Sequence, residues 1–330
     1  MNIVNLLGAV HGALAQGILW GIMTLGVYIT FRVLNFADLS VDGSFATGGA
    51  ISAVLTESGT DPFLTLLAAL AGGMACGFLT GFLNTKMKIP GILAGILTMT
   101  ALYSINLRIM KSRANIPLLG VDTVDIRVEN LLPGVSKYNC QIILGGVIAA
   151  AVVALIYWFF GTETGCAIRA TGNNPHMVRS LGVNTDTTTI LALVISNGLV
   201  ALSGALVAQT QGFGDVSMGI GTIVIGLASV IIGEVLLGRR VNFIARLIAM
   251  LGGSVVYRVI IAVVLFLGLK SQDMKLLSSI VVAIALFFPT AKKRAGRYFS
   301  RRPALVPDSA VEDAIDDSDK DPDEAAAGKE

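Results

Sequence analysis

Nine stretches of the chain are rich enough in apolar residues to be read as membrane spans. They cover residues 12–31, 43–55 with an irregular lead-in from 35, 63–83, 90–110, 140–160, 188–210, 218–237, 241–268 and 275–290. Most exceed the roughly 18 residues needed to cross a hydrocarbon core about 30 Å thick. The pattern predicts an all-α polytopic membrane protein of about nine transmembrane helices, filling residues 1–291. The second span is short and is approached through NFADLSVDGS, which has the composition of a broken helix.

Two polar intervals interrupt this pattern. Residues 161–187, GTETGCAIRATGNNPHMVRSLGVNTDT, separate the fifth and sixth spans. Asn174-Pro175 is a helix-start signal, because asparagine caps and proline is tolerated in the first turn. Gly182 is placed to end a short helix from His176 to Leu181. Such a helix, held at the membrane surface with Arg169, His176 and Arg179, suits a cytoplasmic partner. Residues 111–138, KSRANIPLLGVDTVDIRVENLLPGVSKY, predict a small cap on the opposite side, either a docking place for a delivery protein or a passive connection.

Charge orients the set. With the N-terminus outside, the inner ends and loops hold 14 Lys and Arg and the outer ones 7. The inner group includes Arg32, Lys86, Lys88, Arg169, Arg179, Arg239, Arg240, Arg246 and the cluster KKRAGRYFSRR at 292–302. Residues 161–187 are then cytoplasmic, 111–138 extracytoplasmic, and the C-terminus cytoplasmic. Residues 303–330 carry 10 Asp and Glu against 2 Lys and Arg, so 292–330 reads as a basic and then acidic disordered tail.

Composition supports the membrane class: 54% of residues are hydrophobic and 14% charged, against about 25% charged in soluble domains. Of the 37 glycines, Gly73, Gly77 and Gly81 form a flat stripe suited to close helix packing. MNIVNLLGAVHG lacks the basic start of a cleaved signal peptide. Three scattered cysteines and two distant histidines, His11 and His176, argue against a metal site or a histidine-based triad. No G-x-x-x-x-G-K-[ST] motif occurs, so any use of ATP belongs to another subunit. A membrane enzyme has no clustered nucleophile, base or ligand set to work with, and nothing in the chain suggests nucleic-acid binding.

Offsetting the chain by 177 residues aligns Phe36-Ala37-Asp38-Leu39-Ser40 with Phe213-Gly214-Asp215-Val216-Ser217, Gly49 with Gly226, and Ser52 with Ser229. The two segments begin at opposite faces, which predicts an inverted-topology repeat with broken helices meeting near a translocation path. Asp38 and Asp215 are helix caps or solute contacts on this reading. Charges in spans are expensive in lipid and are functional candidates. Arg258 lies well inside the eighth span, with Asp215 as its expected partner. Asp42 and Glu234 lie near cytoplasmic ends, where solvation is the simpler expectation. Asn106, Asn197, Ser203 and Gln209 line a polar path or bridge helices. The candidate path residues are Asn35, Asp38, Asp42, Asn197, Asp215, Glu234 and Arg258.

Four stretches carry a resemblance. They are Arg32-Val-Leu-Asn35-Phe36-Ala37; Thr164-Gly165-Cys166-Ala167-Ile168-Arg169-Ala170-Thr171-Gly172-Asn173-Asn174-Pro175; Ser203-Gly204-Ala205-Leu206; and Ile232-Gly233-Glu234-Val235-Leu236-Leu237-Gly238. The chain resembles the transmembrane subunits of bacterial ABC importers of the branched-chain amino acid and ribose permease family, nearest the tryptophan/tyrosine type. Glu234 departs from the family's Leu-Gly-Gly pattern. The resemblance implies a type II-like permease in the bacterial inner membrane, surrounded by lipid, with no ATPase of its own. It implies two cytoplasmic ATPase subunits that bind Mg-ATP, a second permease copy (a homodimer is favoured over paralogues) and an extracytoplasmic binding protein. Glu163, Arg169, Asn174, Pro175, His176 and Arg179 would couple to the ATPase. The expected cargo is an aromatic or branched-chain amino acid. The alternatives are import of a sugar or nucleoside, and a carrier or channel that works without an ATPase.

Overall fold

The structure, a computed structural model, describes residues 3–131, 133–237, 242–267, 276, 279–283 and 287. Contacts divide the chain into Met1–Leu286 and Phe287–Glu330, and of the second unit only Phe287 is described. Of the ninth predicted span, residues 276, 279–283 and 287 are described, and its other positions lie outside the described residues. So do Arg239, Arg240, Gly238, the 292–302 cluster and the acidic tail.

Eight helices occupy the first eight predicted spans. They are α1 (Ile3–Tyr28), α2 (Val41–Glu57), α3 (Pro62–Thr85), α4 (Gly91–Ile109), α6 (Lys137–Phe160), α9 (Thr185–Gln211), α10 (Thr222–Leu237) and α11 (Phe243–Phe266). Between them lie α5 (Val124–Leu131), α7 (Glu163–Asn173) and α8 (Pro175–Ser180). Two short antiparallel strands, β1 (Asn115–Pro117) and β2 (Phe213–Asp215), pair Asn115 with Asp215 and Pro117 with Phe213. Among the described residues, six helices are long and apolar enough to cross a membrane: α1 with its extension to Val33, α3, α4, α6, α9 and α11.

The other two, α2 and α10, are 17 and 16 residues long. At 1.5 Å per residue each spans about 25 Å, short of a full crossing. They do not start at a face. Asp42, in the first turn of α2, accepts hydrogen bonds from the Gly221 and Ile223 N–H groups and the Thr222 hydroxyl at the start of α10. From this shared point α2 runs to Glu57, beside Arg113 of the β1 segment, while α10 runs the opposite way to Glu234, beside Arg32.

The two ends of the molecule are distinct. One carries α7 and α8, where a Cβ on Gly172 would lie 1.9 Å from the Val33 carbonyl oxygen. The other carries β1, β2 and α5. The long helix α9 connects them, starting beside α8 and ending at Gly212, which takes the left-handed φ of 77° before β2. The first lead-in, 34–40, therefore starts at the α7–α8 end and the second, 212–221, at the β1–β2 end. The halves are inverted. The 177-residue offset also maps α1, α2 and α3 onto α9, α10 and α11, and the packing crosses over: α1 packs on α11, and α9 on α3.

Small residues make that packing close. A Cβ on Gly73 would lie 2.4 Å from the Asn197 carbonyl oxygen, and one on Gly77 2.2 Å from that of Leu193. The Gly73-Gly77-Gly81 stripe is thus the seat of α9, as expected for helices drawn together by backbone proximity.

Candidate functional site

At the α7–α8 end the chain builds two surface helices. Thr162 caps α7 by accepting from the Gly165 N–H, and Ile168 and Thr171 turn inward. The Asn174 side chain accepts from the Met177 N–H, Pro175 takes the first helical position, and Gly182 closes α8 with a left-handed φ of 83°. The sequence signals for this short helix are all realised. Val178 is its inward anchor, while Met177 and Leu181 stand 48% and 71% exposed.

Arg169 and Arg179 hold these helices in place. Arg169 donates to the Phe160 carbonyl oxygen at 2.8 Å, and its guanidinium lies 4.2 Å from the centroid of the Phe243 ring. Arg179 donates to the Thr185 hydroxyl at 2.6 Å and to Asp186 at 3.1 Å. Glu163, Asn174, Pro175 and His176 are exposed around them. Met177 and Leu181 escaped sequence reasoning. Their signal was two large apolar residues four apart on a helix outside any span.

Inside the molecule, the first lead-in reverses at Asn35, whose φ is 55°, a conformation asparagine tolerates better than most residues. The turn of π-helix before it, Ile29–Val33, ends with the Leu34 N–H on Ile29 O and the Phe36 N–H on Thr30 O. Asp38 then sits buried beside the middle of α9. One of its oxygens accepts from the Ser40 N–H and hydroxyl, and the other from Asn197 Nδ2 at 2.8 Å. Asn197 Oδ1 in turn accepts from the Ser44 hydroxyl at 2.6 Å.

Asp38 thus serves a turn and a bridge to α9 instead of capping α2, and the Ser40 side chain makes no capping bond. Asp42, expected to be solvated at a span end, is buried and caps α10 instead. Glu234, also expected in solvent, is paired with Arg32.

At the β1–β2 end the second lead-in repeats the first. The Ser217 N–H and hydroxyl donate to Asp215 Oδ1, and Asn115 Nδ2 donates to Oδ2 at 3.2 Å. Partial burial pushes the Asp215 carboxyl up, but these hydrogen bonds outweigh it and hold it below the ordinary range. Asp215 borders a cavity of about 280 Å³ with Trp20, Phe45, Phe213, Ser217 and Met218.

Arg258 lies within α11, as expected, but without its expected partner. Among the described residues it forms no ion pair with Asp215. Its guanidinium lies 3.8 Å from the centroid of the Trp20 ring. Trp20 is the part of this site that sequence reasoning missed. The 177-residue offset that pairs Asp38 with Asp215 also pairs Trp20 with Asn197, so extending the repeat into the first span would have found it.

Bridging explains most of the remaining polar residues. Ser203 donates to Leu19 O, and Gln209 donates to Ser52 and Thr65 while accepting from the Val124 N–H. Asn106 is buried with both amide atoms unpartnered. The 111–138 segment is clasped by Arg113 on Glu57 and by Arg127 on Asp61 and Asp122. Arg127 and the Phe63 N–H hold the Asp61 carboxyl below the ordinary range, whereas burial pushes that of Asp125 up against the hydrogen bond from Gln141. Among the described residues no three His, Cys, Asp or Glu side chains are grouped to hold a metal.

Residues 9–289 match the family described as the branched-chain amino acid transport system permease component. The chain belongs to this family. The permease is 40% identical over 276 residues to the tyrosine transport system permease protein of Clostridioides difficile, a match covering 84% of this chain and 90% of that one. It is 34% identical over 284 residues to protein RP368 of Rickettsia prowazekii, covering 83% and 95%. Among solved structures, PsaBC from Streptococcus pneumoniae matches with a TM-score of 0.46 at 16% identity, covering 84% and 89%. The chain is thus a multi-pass membrane protein and the permease subunit of an ABC-type transporter; its family and its tyrosine permease relative are transport components and not enzymes.

Proposed function

We propose that the permease forms the translocation path of an ATP-driven importer for an amino acid with an aromatic or branched side chain. Its expected assembly contains a second copy of this chain, two cytoplasmic ATPase subunits that bind Mg-ATP, and an extracytoplasmic binding protein. The α7–α8 end faces the cytoplasm with the C-terminus. The β1–β2 end and the N-terminus face outward in a bacterial inner membrane. The tyrosine permease relative supports the cargo class.

The observation that carries the reading is α8. A six-residue helix with exposed Met177, and exposed Leu181 just past its end, is locked to the start of α9 by Arg179. A carrier working alone has no use for an apolar surface fixed in this way outside the bilayer. A partner that grips α8 moves α9, and α9 carries Asn197 of the interior cluster. Apolar anchors of this kind dominate binding at interfaces.

Coexpression with the partner ATPase tests it. The combined Met177→Glu and Leu181→Glu substitutions should abolish ATPase co-purification from a permease that still elutes as a folded species. Arg179→Ala should retain the ATPase but lower transport per ATP several-fold. If a stable preparation of the wild type captures no ATPase, or the double variant captures it undiminished, the importer reading fails.

A further inference from the structure

We infer that the cavity beside Asp215 is a binding site, within one chain, for a free amino acid bearing an aromatic side chain. The inference rests on the amino-acid importer reading and gives it a location.

The repeat supplies the first argument. In the first half, Asp38 receives an N–H from Asn197 and the cluster is closed. In the second half, Trp20 stands at the position of Asn197. Its indole N–H is buried and has no acceptor. A buried donor without a partner is uncommon and calls for an explanation. The pair that is satisfied internally in one half lacks its bond in the other, where Trp20 and Asp215 both line the cavity.

The lining supplies the second. Asp215 is anionic and, although Ser217 and Asn115 already donate to it, a carboxylate has about four acceptor positions, so room remains for an ammonium group. Trp20, whose buried N–H lacks an acceptor, and Gln211 both line the cavity and are the donors we assign to a carboxylate. The Arg258 guanidinium over the Trp20 ring puts positive charge behind that donor. Phe213 and Met218 give the apolar surface an aromatic ring requires, backed by the buried Phe45, whose ring lies 5.0 Å from that of Trp20. Pockets for drug-sized ligands run from about 300 to 1,000 Å³, so a cavity of about 280 Å³ suits one smaller solute. A sugar needs polar partners around its whole ring, which these walls do not offer.

The test is direct binding of radiolabelled L-phenylalanine to the purified full-length permease, with unlabelled phenethylamine, 3-phenylpropionate and D-ribose as competitors. Asp215→Asn keeps an acceptor for Ser217 while removing the charge, and Trp20→Phe keeps a ring while removing the N–H. Saturable L-phenylalanine binding is expected. Asp215→Asn should weaken L-phenylalanine and phenethylamine at least about ten-fold and leave 3-phenylpropionate unchanged. Trp20→Phe should weaken L-phenylalanine and 3-phenylpropionate several-fold and leave phenethylamine unchanged. No saturable binding, indifference to both substitutions in proteins that melt like the wild type, or competition by D-ribose alone would overturn the site. ATPase co-purification from the same preparation separates the outcomes: ATPase bound and L-phenylalanine unbound removes this site and leaves the importer reading standing.

Discussion

Asn197 shows how one buried amide joins distant parts of the chain. Its Nδ2 reaches Asp38 in the first lead-in, its Oδ1 receives Ser44 from α2, and its carbonyl oxygen lies where a Cβ on Gly73 would intrude. Removing the amide leaves a buried carboxylate oxygen without its donor, a loss of about 1–3 kcal/mol or more. Asn197→Ala should therefore lower the melting temperature in detergent well below that of Ser203→Ala, which removes a single hydroxyl bond to Leu19. Equal melting points for the two variants would show that the cluster does not hold the lead-in. The residue types were legible in sequence, because polar side chains in spans are conspicuous. Their partners were not. Asp42 and Thr222 are separated by 180 positions, and local capping rules see only a few residues either way.

At the scale of elements, what was legible followed from local chemistry. Asn174, Pro175 and Gly182 encode α8 within nine residues, and the structure places each in its expected role. The preceding α7 was not expected, since ETGCAIRATGN is dense in glycine and threonine, which are weak helix formers. It is held by Arg169 and by Ile168 against the core, so tertiary packing overrides propensity there. The shortness of α2 was visible in its 13-residue apolar span, but that of α10 was hidden, because hydropathy does not reveal the depth at which a helix starts. The clasp on the 111–138 segment offers an acid-sensitivity test. Asp61 is ionised more easily in the closed clasp than in an opened one, where its pKa returns to about 4. The closed form thus has its full advantage above that value and loses it as pH falls through the lowered one. A nitroxide at Leu119→Cys, on a Cys166→Ser background, should keep constant mobility from pH 7 to 5 and gain mobility below about pH 4. Arg127→Gln should be mobile throughout. A mobility that ignores both acid and Arg127→Gln would dismiss the clasp.

At the scale of the molecule, two half-chains of opposite direction share a central junction. Asp42 binds the start of α10, so α2 and α10 diverge from one point toward opposite ends. Each is tied where it finishes, α2 through Glu57 to Arg113 and α10 through Glu234 to Arg32. The inversion was visible in sequence as five identities in 17 aligned positions, and the charge bias gave it a direction. The structure adds a geometric consequence: the described basic residues Arg32, Lys86, Lys88, Arg169, Arg179 and Arg246 all lie toward the α7–α8 end, while Arg108, Lys111, Arg113, Arg127 and Lys137 lie toward the other. These split six to five, so the two-to-one bias expected to mark the cytoplasmic side comes from Arg239, Arg240 and the 292–302 cluster, outside the described residues. Leu119 and Leu181, exposed at opposite ends, turn this into a measurement. In intact cells a membrane-impermeant maleimide should label Leu119→Cys at once and Leu181→Cys only after permeabilisation, both on the Cys166→Ser background. Labelling of both from one side would contradict the inverted arrangement. The reverse order would keep the inversion but turn the molecule over, placing α8 where no cytoplasmic ATPase could reach it.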